Sequence, residues 1–181
     1  MTSLNHNETL VRECRINNPK AQELFFKKFY PFAMQVALRY SRDEHDAADI
    51  LVVSFTRIFR SIHSFNPDKG SLQAWISRIV INEALTQLKK RERFIYSEIN
   101  DKINEPKIQN EGIEKLGATE LLQLIRTLPA IRQAIFNLYV VEGYSHEEIS
   151  MITGIKAGTC KWHLHEARKE LQQHLLNRKA I

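Results

Sequence analysis

The chain has 181 residues, and its 26 Lys plus Arg against 21 Asp plus Glu give a formal net charge of +5, a balance that suits a polyanionic partner without requiring one. Its two cysteines, Cys14 and Cys160, are far apart in a sequence without an apolar N-terminal run, so no disulfide framework and no secretory signal are expected, and the location expected is the cytoplasm. No apolar run approaches the roughly 20 residues that cross a bilayer, which argues against membrane insertion.

Apolar residues recur at helical spacing almost throughout, and sustained alternation bounded by turn residues is missing, which predicts an all-α protein. Four helices are expected between Glu8 and about Arg93, with breaks near Asn17-Asn18-Pro19, near Ser41-Arg42-Asp43 and at "FNPDKGS". Pro31 is expected to kink the second of them. From Ile95 to Leu116 isolated isoleucines sit among Asn, Glu, Lys, one Pro and one Gly, the composition of a linker. This acidic tether, net −2, joins two basic lobes: residues 1–94 at +5 and residues 117–181 at +2. The second lobe predicts four more helices: Thr119 to Thr127, Pro129 to about Glu142, Ser145 to about Thr153, and Ala157 to about Leu176. Pro129 suits a first turn, and Ser145 with Glu148 forms a capping box. Gly154 suits a left-handed helix end, so the last two helices read as a helix-turn-helix.

Cys160, His163 and His165 lie close enough together to raise the question of a metal site. At about 100° per residue, Cys160, Leu164, Ala167 and Leu171 share one stripe, the pattern of a core-facing surface. His165 points well away from that stripe and His163 lies on its flank, so the three do not converge on one ion and no metal is expected. Cys160 reads as a small buried hydrophobe. The opposite face carries Lys161, Trp162, His165, Arg168 and Lys169, with Thr159 near the helix start. Cationic and hydrogen-bonding groups on the N-terminal half of a second helix suit insertion into a major groove. The plainer alternative is a charged surface with Trp162 folded onto a neighbour, and Glu166 favours it.

In the first lobe, Ser71, Trp75, Arg78, Asn82 and Lys89 share a face of the helix that ends in "LKKRER". The basic end could merely complement the helix dipole. An indole, a guanidinium and an amide on one stripe offer the stacking and edge contacts that hold unpaired bases.

The stretch "DAADILVVSFTRIFRSIHSFNPDKGSLQAWISRIVINEALTQLKKRER" resembles region 2 of extracytoplasmic-function sigma factors, and "LPAIRQAIFNLYVVEGYSHEEISMITGIKAGTCKWHLHEARKEL" resembles their region 4. The resemblance implies two small helical domains, 1–94 and 117–181, joined by a linker at 95–116. It also implies a dissociable subunit of bacterial RNA polymerase that directs promoter recognition, with core enzyme, promoter DNA and an anti-sigma factor as partners. Carried over by position, Lys156, Thr159, Lys161, Trp162, His165 and Arg168 become contacts to the minus-35 element as duplex. Phe65, Asn66, Lys69, Trp75, Arg78 and Asn82 become contacts to the melted minus-10 strand, one base of which is flipped into a pocket beneath "SFNPDKG". On the helix beginning at Asp46, the family's polymerase-binding surface falls on Asp46, Asp49, Val52 and Val53. There Ala48, Val52 and Val53 stand where relatives commonly carry Glu, Gln and an acidic residue. Trp162, His163 and Glu166 likewise replace small or basic residues of the recognition helix.

Two other functions compete with this one. An autonomous DNA-binding regulator would use the same helix-turn-helix but leaves the Trp75 stripe unexplained. An enzyme finds little support: "HEEIS" has Ser150 where a metalloprotease helix needs its second His, "GIKAGT" lacks the ending of a phosphate-binding loop, and no catalytic residue or cofactor is expected.

Overall fold

The computed structural model describes residues 2–92 and 118–179, so the expected linker, 95–116, lies outside the described residues. Among the described residues there are eight α-helices and no strand: α1 (Thr2–Arg15), α2 (Pro19–Leu38), α3 (Glu44–Ser61), α4 (Leu72–Glu92), α5 (Ala118–Arg126), α6 (Ala130–Phe136), α7 (His146–Thr153) and α8 (Ala157–Lys179). The chain divides into two compact units, residues 1–38 with 43–84, and residues 39–42 with 85–181.

In the first unit, α1 begins six residues before the expected Glu8. A helix anchored by packing propagates by adding one hydrogen bond per residue fixed, which carries α1 back to Thr2. The anchor is the buried trio Leu10, Val11 and Cys14. Asn17, at φ 56, then turns the chain out of the helix, and its N–H donates to the Cys14 carbonyl at 3.0 Å. α2 runs through Pro31 as one element, burying Ala21, Phe25, Phe29, Ala33, Val36 and Ala37 at helical spacing. α3 starts on the Asp43 carboxylate, which accepts from the Asp46 N–H at 2.8 Å. Leu51, Phe55, Ile58 and Ile62 are all buried. Aromatic packing joins the two helices, with Phe26 and Phe55 at 4.6 Å and Phe25 and Phe59 at 5.7 Å between ring centres. α4 is tied to α3 by an ion pair in which Arg57 reaches the buried Glu83 carboxylate at 2.9 Å.

The second unit is built around Leu124, Ile125, Ile135, Leu138, Ile149, Cys160, Leu164, Ala167 and Leu171, all buried. Pro129 stands at the cap of α6, one residue before the first turn it was expected to occupy, because its ψ of 139° is extended. The helix expected to reach Glu142 continues from Asn137 to Val141 as a π-helical stretch. The register change was invisible to a periodicity search tuned to 3.6 residues per turn. At the start of α7, Ser145 Oγ accepts from the Glu148 N–H at 3.2 Å while the Ser145 N–H donates to Glu148 at 2.8 Å, a complete capping box. Gly154, at φ 78, closes α7, and its N–H donates to the Ser150 carbonyl at 2.8 Å. Three residues later α8 begins, completing the helix-turn-helix.

Candidate nucleic-acid interface

On α8 the buried stripe is the one that periodicity assigns. Cys160 lies fully in the core, its sulfur 3.6 Å from the Ile155 carbonyl, and burial raises its thiol pKa. His163, expected on the flank, is buried as well, and burial together with the nearby Arg132 pushes its pKa down to about 4. Of the remaining residues, Lys156 and Lys161 are exposed, while Thr159, Trp162, His165 and Arg168 are half-buried.

Two of these half-buried side chains are held by neighbours. The Arg132 guanidinium from α6 lies 5.4 Å from the centre of the Trp162 indole and also pairs with the Glu170 carboxylate. The Trp162 ring meets His163 edge-on at 4.8 Å. The Arg168 guanidinium sits 5.8 Å from the centre of Tyr139, whose ring stacks on His146 at 4.5 Å. Burial, and then Lys161, lower the His146 pKa; Glu147 opposes them and Arg168 adds to the lowering. Arg132 and Tyr139 escaped the sequence reading, because nothing local to them signals a partner on α8 some thirty residues away, and His146 escaped with them because its partner Tyr139 lies on a separate helix.

In the first unit, the turn from Ile62 to Ser64 leads into Phe65, whose ring lies 5.6 Å from that of Trp75. The loop beyond is locally self-bonded. Asn66 Oδ1 accepts from the Asp68 N–H at 2.9 Å, Pro67 opens a single turn ending at Lys69, and Gly70 adopts φ 143, which a side chain would oppose. Ser71 then caps α4, its hydroxyl accepting from the Ala74 N–H at 3.1 Å. Asn66, Lys69, Arg78 and Asn82 are exposed, and Trp75 is half-buried. A cavity of about 440 Å³ opens between α1, α2 and this loop, with Val11, Arg15, Lys28, Phe29 and Phe65 among its walls.

On α3, Asp49 is exposed, Val52 is 69% exposed and Val53 is 37% exposed. Asp46 does not share that surface, being only 5% exposed, contrary to its expected place beside Asp49, Val52 and Val53. The physical reason is helical spacing: Asp46 stands one turn before buried Ile50 and two before buried Ser54, so the buried face of α3 is wide enough to include it. Among the described residues no group of three or more His, Cys, Asp or Glu is arranged to hold a metal ion, and no helix is long and apolar enough to cross a membrane.

Fold and surfaces together define the class first: an all-helical protein with a helix-turn-helix in one unit and an aromatic, basic loop-and-helix face in the other. Residues 25–94 match the family model "Sigma-70 region 2", and residues 118–171 match "Sigma-70, region 4". An ECF RNA polymerase sigma factor SigE of Mycolicibacterium smegmatis is 30% identical over 147 residues, 78% of this chain, which spans 56% of that relative's length. The ECF RNA polymerase sigma-E factor of Salmonella typhimurium is 25% identical over 176 residues, 91% of each chain. Among solved structures, the sigma factor RpoE of Bartonella quintana, in complex with the anti-sigma factor NepR, shares the fold with a TM-score of 0.51 at 24% identity, over 84% of this chain and 95% of that one. The chain belongs to the sigma-70 family and, within it, to the extracytoplasmic-function (ECF) sigma factors.

Proposed function

We propose that the protein is a dissociable subunit of bacterial RNA polymerase that acts in the cytoplasm to direct initiation at a specific set of promoters, and that it performs no catalysis of its own. Residues 1–94 form the part that binds core enzyme and captures the melted minus-10 strand, residues 95–116 are the tether, and residues 117–181 read the minus-35 element as duplex. On α8, Lys161 and Arg168 engage phosphates and Trp162 reads base edges, with Lys156, Thr159 and His165 beside them. On the loop and α4, Phe65 and Trp75 stack on extruded bases while Asn66, Lys69, Arg78 and Asn82 supply edge and phosphate contacts. Asp49, Val52 and Val53 of α3 meet the polymerase, and an anti-sigma protein holds the factor inactive between signals.

The observation that carries this reading is the contact of Phe65 with Trp75, 5.6 Å between ring centres, beside exposed Arg78 and Asn82. A duplex-binding regulator has no use for an aromatic pair on a second, separate unit. The test mixes purified protein with bacterial core polymerase and a library of promoter-length duplexes, and sequences the 5′ ends of the transcripts. Discrete start sites that depend on the protein support the reading. Tight duplex binding without polymerase, and no protein-dependent transcript, would favour the autonomous regulator.

A further inference from the structure

Arg15, the last residue of α1, reaches fifty residues along the chain to the loop that carries Phe65. Its Nη2 donates to the Phe65 carbonyl at 2.7 Å, and its Nε donates to the Ile62 carbonyl at 3.5 Å. These carbonyls bracket one turn, which is itself closed by the Phe65 N–H donating to Ile62 at 3.3 Å. We propose that Arg15 is a positioning residue for capture of the unpaired strand, fixing the main chain at Phe65 so that its ring meets Trp75 and the following loop stays open to bases. The inference rests on the strand-capture reading given above.

Three observations carry it. The first is chemical: a guanidinium is a planar fork that can address two carbonyls at once, and charge-assisted bonds of this kind are about twice as strong as neutral ones. The second is mechanical. Arg15 leaves a fixed platform, since Leu10, Val11 and Cys14 of α1 are buried and the helix is closed immediately afterwards by Asn17 and by the Asn18 N–H donating to the Glu13 carbonyl at 3.2 Å. The third concerns the loop, whose residues 66–71 are all exposed, so that little buried surface holds it and a tether at its base matters more. α1 also lies outside residues 25–94, so the family match does not point to Arg15.

The test compares wild-type, Arg15→Gln and Arg15→Lys full-length proteins in two measurements. Amide hydrogen exchange reads the loop directly, without DNA. Binding of holoenzyme to single-stranded oligonucleotides enriched from a random pool by the wild type reads capture. Removing the charged donors should raise exchange at Lys69 and Gly70 about tenfold and weaken strand binding about tenfold in Arg15→Gln. Amides of α2 and α4, and duplex binding by α8, should not change. Arg15→Lys, with one compact ammonium, should fall between the two. Unchanged loop exchange in Arg15→Gln would overturn the proposal, as would a loosened loop with undiminished strand affinity. If the wild type enriched no strand at all, the capture role of both loop and Arg15 would fall, while exchange would still decide whether Arg15 holds the turn.

Discussion

Arg132 of α6 lies with its guanidinium 5.4 Å from the centre of the Trp162 indole and its charge against Glu170, some two turns further along α8. Trp162 is therefore held in one orientation by a cation on its face and by His163 at its edge. A pre-oriented aromatic discriminates between base edges at little entropic cost.

Arg132→Met keeps much of the stem's bulk but removes the cation and leaves Glu170 without this partner. Stability should fall by about 1 to 2 kcal/mol, the scale of a partly desolvated cation–π contact and a part-exposed ion pair. The duplex sequences selected from a random library should broaden at the positions that Trp162→Ala also affects, with an unchanged salt slope. Lys161→Ala should do the reverse, lowering the slope by about 1 and leaving preference intact. A library selection and a salt titration on the three variants distinguish these outcomes, and identical selected sequences for Arg132→Met and wild type would remove Arg132 from recognition.

Much of this arrangement was legible in the sequence, and the reason is periodicity. The stripe Cys160, Leu164, Ala167 and Leu171 follows from helical spacing alone. Short-range chemistry was legible too: Ser145 with Glu148 and the left-handed Gly154 are rules acting over three or four residues. What escaped depends on tertiary partners. Asp46 is buried because the packed face of α3 extends through Ile50 and Ser54 to the first turn, wider than its apolar residues mark, and the π stretch from Asn137 to Val141 breaks the 3.6-residue period. Arg15 with Phe65, or Arg132 with Trp162, are pairs that no local spacing encodes.

His163 makes stability depend on pH. Burial, with Arg132 beside it, lowers its pKa to about 4 in the folded protein, against about 6.5 in an unfolded chain. Below about pH 6.5 the unfolded state binds a proton that the folded state refuses, so the stability contributed by the neutral ring is present above that value and is lost as pH falls toward 4. Between pH 7.5 and 5 the loss should be about 2 kcal/mol. Lowering of the His146 pKa adds to it in the same direction. His163→Gln cannot titrate, so urea unfolding at the two pH values should give a markedly smaller difference for the variant. An equal loss in both proteins would place the pH dependence elsewhere.

Strand capture is separable from folding at Asn82, which is exposed on α4, one turn beyond Arg78 and two beyond Trp75. Asn82→Ala should cost at most about 1 kcal/mol of stability, the scale of one hydrogen bond at an exposed site. It should weaken holoenzyme binding to a single-stranded minus-10 oligonucleotide by about tenfold, the value of an edge contact worth roughly 1 to 3 kcal/mol. Initiation on a template already melted across that segment should suffer as much as on a duplex, because the lost contact is to the open strand. A variant with lower thermal stability and intact capture would make Asn82 a packing residue.

The exposed face of α3 has a physical character unusual for a free surface. Val52 and Val53 are adjacent and exposed at 69% and 37%, with the carboxylate of Asp49 one turn before them. Scattered surface valines are ordinary, but a pair beside a charge on a helix otherwise patterned for burial suits a partner that brings aliphatic stems and a cation together, as Lys and Arg do. Reversing the charge with Asp49→Arg sets like against like and should reduce core-polymerase affinity by tenfold or more, mainly in association rate and most strongly at low salt. Val53→Asp buries a carboxylate without a prepared partner on assembly and should weaken binding by about 1 to 3 kcal/mol. Val52→Thr, which exchanges a methyl for a hydroxyl at the more exposed position, should cost less than Val53→Asp. Fluorescence titration of labelled variants with core enzyme at two ionic strengths decides the matter. Tighter binding by Val53→Asp would mean that the partner presents a cation there and that the valine is a weakened form of an acidic contact. Unchanged affinity for Asp49→Arg would remove this face of α3 from the interface.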